Sequence, residues 1–139
     1  MPLHTSINIA GWMEKKNPEG YTTKGAIHHR FEAVADEAIE KGAITSASVE
    51  ALAGPVRQVS DPFGDTLAYL QHENRFVEDV YRLDKDGQLT ANSPEAQRFI
   101  ESRMAEGSSM LRDLMYAAWI ESASLTGPKR AAEVTIPVR

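Results

Sequence analysis

Apolar positions in this chain recur at helical spacing in several stretches, separated by polar, glycine- and proline-bearing segments. Ile27, Phe31, Val34, Ala35 and Ala38 fall three or four apart, which predicts a helix over residues 24–41, stopped by Gly42. The stretch TSASVEALAG reads as a short helix with Ser46 or Ser48 as its cap and Gly54 as its exit, and a loop follows Pro55 as far as Ser60. Ser60-Asp61-Pro62 is a helix start, with proline near the first helical position. From there Leu67, Leu70, Phe76, Val77, Val80 and Tyr81 predict one amphipathic helix to about Leu83. After the polar turn DKDGQLTANS, Ser93-Pro94-Glu95 opens a last long helix to about Ala123. Its expected inner stripe is Phe99, Ile100, Met104, Leu111, Leu114, Met115, Ala118 and Trp119. Residues 1–23 read as loop, since Pro2, Gly11, KNPEG and YTT interrupt any period, and residues 125–139 read as an extended tail in which EVTIPV forms a strand-like arm. There is no internal repeat. The pattern predicts an all-α domain with a long N-terminal loop.

Composition narrows the chemistry more than the fold. The chain has 139 residues, enough for one domain with a real core, and 42% of them are hydrophobic. A net charge of −5 argues against a general nucleic-acid-binding surface, which needs clustered lysine and arginine. There is no cysteine, so disulfides and thiolate chemistry are excluded. A metal would have to be held by histidine, aspartate or glutamate, which favours zinc, manganese or iron. No run reaches the roughly eighteen apolar residues that span a membrane. The N-terminus MPLHTSINIAGWMEKK lacks the basic start and apolar core of a signal peptide, so a cytoplasmic location is expected for the chain as written.

The densest candidate chemistry is GAIHHRFEAVAD, residues 25–36. At about 100° per residue, Glu32 falls roughly 40° from His28, and both lie at the edge of the apolar face. His29 lies roughly 100° away, beside Asp36 and Glu40, on the solvent side. The i,i+4 spacing brings the His28 imidazole and the Glu32 carboxylate over one turn, where they could share an ion. Two ligands do not make a catalytic zinc site, which takes three from the protein and leaves a position for water. His4, His72, Asp61 and Asp65 are the candidates for the third. On the residues alone, an ordinary helix-surface pair is the simpler reading.

Several of these segments together resemble a known family. Gly25, His28, Arg30, Phe31 and Glu32 are similar to the His-x-x-x-Glu helix of the zinc-dependent phospholipase C and S1/P1 nuclease superfamily, with one residue more between glycine and histidine. MPLH, residues 1–4, is similar to that family's Gln-Pro-(Leu/Met)-His segment, with Met1 where the glutamine stands. FIESRMAEGSSMLRDLMYAAWIES is similar to the long closing helix of bacterial members, which ends in an Ala-Trp pair. The resemblance covers residues 1–124, in the order of the C-terminal half of the family fold. It implies a partial helical bundle of the phospholipase C/P1 nuclease type and zinc-dependent hydrolysis of phosphodiesters, either phospholipid or nucleic acid. It further implies a zinc ion held by His4, His28 and Glu32, with His29 and Asp36 as neighbours able to hydrogen-bond around the ligands. The family's N-terminal tryptophan and its further histidine and aspartate ligands have no counterpart here, and neither Trp12 nor Trp119 can replace that tryptophan. A truncated remnant of such an enzyme is therefore also expected. Family members are mostly exported.

Other motifs read more plainly. His72-Glu73 opens like a zincin motif, but Phe76 stands where the second histidine belongs. Asp84-Lys85-Asp86-Gly87 departs from a calcium loop, because its glycine comes at position four rather than six. Met104, Met110 and Met115 read as core packing. The alternative to an enzyme is a non-catalytic helical module that binds a structural metal or a partner chain. Its apolar helix faces would be covered by self-association or by a polypeptide equivalent to the missing N-terminal half.

Overall fold

The computed structural model describes residues 16–124, which form five helices and, among these residues, no strand. They are α1 (Ile27–Glu40), α2 (Ser46–Leu52), α3 (Pro62–Asn74), α4 (Val77–Lys85) and α5 (Pro94–Ser122). The all-α expectation holds for the described residues, and the strand-like arm expected in EVTIPV lies outside them. The long α5 is the spine, and α1, α2 and α3 all pack against it, while α1 also packs on α4. No helix is long and apolar enough to cross a membrane among the described residues.

Local chemistry accounts for most of the helix ends. Thr45 caps α2: its hydroxyl accepts the Ser48 N–H at 3.1 Å, and the Ser48 hydroxyl accepts the Thr45 N–H at 3.0 Å. The cap is thus one residue before Ser46 and three before Ser48, the two serines expected, because a capping box needs partners three apart and Thr45 supplies the first, with Ser48 as the second. Asp61 caps α3 through Gly64 N–H at 3.0 Å, and Ser93 caps α5 through Ala96 N–H at 3.3 Å, each with proline at the first helical position. Helices α1 and α4 end alike. Gly42 and Gly87 take φ of 70° and 69°, and the next residue's N–H reaches back to Ala38 O at 2.9 Å and to Leu83 O at 2.8 Å. These are Schellman closures, which use glycine because side chains resist the left-handed conformation.

The expected single helix from Pro62 to Leu83 is two. Arg75 N–H bonds His72 O at 3.2 Å and Phe76 N–H bonds Glu73 O at 3.0 Å, a tightened turn that separates α3 from α4. The break turns Phe76 toward α5, where its ring meets Phe99 edge-on at 6.4 Å, and Phe99 in turn meets Phe31 of α1 at 6.1 Å. Around this aromatic chain sit Ile27, Val34, Ile44, Val80, Leu83, Leu89 and Ile100.

The stripe expected along α5 is correct only in its first half. Ile100 is buried and Phe99 and Met104 pack partly on the core, but Leu111, Met115 and Trp119 are 60%, 65% and 69% exposed. The buried face of the second half is instead Ala105, Ser109, Met110 and Asp113. Helices α2 and α3 flank α5 toward small and polar positions, and the bulky side chains are left facing out.

Candidate metal centre and its cleft

His28 and Glu32 project from the first turns of α1, which is positioned by Ile27, Val34 and Ala38 in the core. An ion pair from Arg30 to Asp84 ties the outer face of α1 to α4. His28 Nε2 lies 3.3 Å from Glu32 Oε1, with the imidazole 22% and the carboxylate 44% exposed. Metal–ligand distances of about 2.0–2.2 Å in a tetrahedron place neighbouring donors about 3.3 Å apart. The pair therefore fits two positions on one zinc ion, and the same spacing also makes it an i,i+4 ion pair when the histidine is protonated. His29 and Asp36 are exposed beside it, as the wheel placed them.

The third ligand implied by the resemblance, His4, lies outside the described residues. So do Met1-Pro2-Leu3, Trp12 and the tail 125–139. Among the described residues no three histidine, aspartate or glutamate side chains gather to hold a metal. His72 and Asp65, considered for the third position, line a different cavity on α3, and Asp61 is engaged as the α3 cap. The His72 ring packs edge-on against Phe76 at 5.2 Å.

The pair lines a cleft of about 600 Å³ between α1, α3 and α5. Its apolar walls are Phe31, Ala35, Ile39, Ile100 and Met104, and Tyr69, Glu73 and Arg103 bring polar groups into it. An apolar pocket with few converging polar groups is the usual form of a small-ligand site. Glu73 is 2% exposed and takes a bond from Arg103 Nη1 at 2.5 Å, while the guanidinium carbon sits 3.6 Å from the centre of the Phe76 ring. Burial pushes the Glu73 carboxyl above the usual range, and the Arg103 charge opposes that rise. Burial likewise raises the Tyr69 phenol, and the Glu73 charge adds to it.

A second buried carboxylate lies further along α5. Asp113 Oδ1 accepts from Arg112 Nη2 at 2.7 Å, and Oδ2 accepts from Arg57 Nε at 3.3 Å. Arg112 also donates to Gly54 O and Pro55 O at 2.8 and 3.0 Å, pinning the α2–α3 loop to α5. Burial by itself would raise the Asp113 carboxyl, but the arginine hydrogen bonds hold it below the usual range.

Sequence reasoning weighed His72 and passed over Glu73, Arg103 and Asp113. A signal was present: Glu73 stands between Leu70 and Val77 on one apolar face, and Arg103 stands between Ile100 and Met104. A charge inside an apolar stripe marks a buried partner.

Fold and site together describe an all-α domain with a carboxylate–imidazole pair beside an apolar cleft. No family model matches the chain, and neither the curated proteins nor the solved structures contain a match to it.

Proposed function

We propose that the chain is a zinc-dependent phosphodiester hydrolase domain of the phospholipase C and S1/P1 nuclease type, or a remnant of one that keeps a single metal site. His28 and Glu32 hold the ion, with His4 as third ligand. The observation that carries the reading is the 3.3 Å separation of His28 Nε2 and Glu32 Oε1 in the lining of the cleft. When bound, the ion supplies Lewis acidity, acidifying water and polarising a phosphoryl oxygen. The cleft's apolar walls receive the non-reacting part of a phospholipid or nucleotide phosphodiester and exclude water around it.

A second reading, a non-catalytic helical module that holds a structural metal or a partner chain, is favoured by the exposed apolar face of α5. Zinc content and hydrolysis of bis(p-nitrophenyl) phosphate separate the two. The enzyme reading expects about one zinc per chain and zinc-dependent turnover. Both should be lost in His28→Ala, and zinc affinity should drop at least tenfold in Glu32→Ala with little change in His29→Ala. Zinc without turnover supports the module. Absence of zinc from the parent, or equal losses from His28→Ala and His29→Ala, overturns the site.

A further inference from the structure

One motif of the sequence has no part in the cleft. Val134, Ile136 and Val138 alternate in EVTIPV, the pattern of an extended segment with three branched aliphatic side chains on one face. Such a segment needs an apolar surface and a backbone edge to lie against. A groove of about 1000 Å³ between the end of α5 and the α2–α3 loop offers both. Leu114, Ala117, Ala118 and Ile120 line it on the helix side, and Val56 and Val59 on the loop side. Ile120 and Val56 are about half exposed. The N–H groups of Val56, Gln58 and Val59 make no hydrogen bond among the described residues, while Arg57 between them is turned to Asp113. Unpaired loop backbone beside an apolar groove is the setting in which an extended peptide adds as a strand.

The end of α5 decides what reaches the groove. The helix stops at Ser122, directly after Glu121, which lines the groove. At 1.5 Å per residue, Ala117 lies about 10 Å back along the axis from Ser124. The twelve residues from Ser124 to Ile136 span up to about 40 Å, and Gly127-Pro128 among them is a turn signal. Extended, Val134 to Val138 covers about 13 Å, close to the roughly 10 Å of helix from Leu114 to Glu121. In a strand that pairs through Ile136, the Pro137 backbone faces solvent, where proline is tolerated. Charge agrees with this occupant. Glu121 is the one charged residue lining the groove, and Lys129, Arg130 and Arg139 against Glu133 make residues 125–139 basic in a chain of net charge −5. A tethered segment acts at an effective concentration in the millimolar range, so it holds on a surface too small to keep a separate partner.

We propose that residues 134–138 of this chain dock in the groove, with Val134, Ile136 and Val138 against Ala117 and Ile120 and their backbone paired with Val56 and Gln58. The proposal is independent of the metal reading, because none of the groove residues lines the His28–Glu32 cleft.

Hydrogen exchange of the full chain, read by mass spectrometry over residues 56–60, tests it. Those amides should exchange at least tenfold more slowly in the parent than in Ile136→Asp or in a chain ended at Ala132. Far-UV circular dichroism should stay unchanged in both, because neither change touches the five helices. The chain has no cysteine, so two thiols can be placed without competition. Ala117→Cys with Ile136→Cys should close an intramolecular disulfide at least fivefold faster than Ala117→Cys with Thr135→Cys, whose side chain leaves the opposite face of the segment. Equal exchange in the parent and Ile136→Asp overturns the proposal, whether the groove is open or is covered by residues 1–15 or by another protein. Thiol pairs that close equally fast, or that bridge only between two copies, overturn it as well.

Discussion

Removing the Glu73 carboxylate tests whether the cleft wall depends on a buried charge pair. Arg103 is 13% exposed and Glu73 2%, and their contact is 2.5 Å. Truncation in Glu73→Ala strands a nearly buried guanidinium, which generally costs about 3–5 kcal/mol. The Phe76 face, 3.6 Å from the guanidinium carbon, stays in place and retains about 1 kcal/mol of that. The expected loss is therefore about 3 kcal/mol, a large part of a total stability of about 5–15 kcal/mol. Arg103→Met should cost less, about 1–3 kcal/mol, because a carboxyl already raised by burial can take a proton and stay inside as a neutral acid. Replacing both, Glu73→Met with Arg103→Met, fills the space with apolar side chains and should lie within about 1 kcal/mol of the parent. Urea unfolding followed by circular dichroism, with the slope checked for constancy, reads all four proteins. A loss under about 1 kcal/mol for Glu73→Ala, or a double variant as unstable as Glu73→Ala itself, would refute the reasoning.

The two buried carboxylates carry opposite pH signatures. The Glu73 carboxyl is raised in the fold, so its contribution is fully present below the ordinary glutamate range and is lost as pH rises through the folded value. Glu73→Gln should remove that part of the stability–pH curve. The Asp113 carboxyl is lowered, so its contribution is present above the ordinary aspartate range and is lost as pH falls through the folded value. Asp113→Ala should thus cost about 2–3 kcal/mol at neutral pH, moderated because Arg57 is 69% exposed and can return to water, and the gap to the parent should narrow in acid. Thermal unfolding at several pH values checks both carboxylates, and a gap that widens in acid would show the Asp113 assignment to be wrong. Gly42→Ala and Gly87→Ala, at φ of 70° and 69°, should each lose about 1–2 kcal/mol by chemical denaturation, and an unchanged midpoint would contradict the closures drawn for α1 and α4.

What the chain's residues determine locally was legible in order along the sequence. Pro62 and Pro94 behind Asp61 and Ser93 start helices, and Gly42 and Gly87 end them, because these signals act over a few neighbouring residues. The side-by-side placement of His28 and Glu32, with His29 outside, followed from helical spacing alone, because residues four apart lie over one turn wherever the helix packs. Other features depended on which helix met which. The break at Arg75-Phe76 carries no proline or glycine, and it exists where Phe76 joins the rings of Phe99 and Phe31. The pairing of Glu73 with Arg103, thirty residues apart, could not be read from either segment, although each charge stood visibly within an apolar face. Periodicity likewise could not say which side of α5 would be covered. Leu111, Met115 and Trp119 have the spacing of a core stripe, yet the small face of Ala105, Ser109 and Asp113 is the one buried. A hydrophobic stripe states that a surface favours burial, and only the positions of the neighbouring helices decide whether this chain supplies the cover.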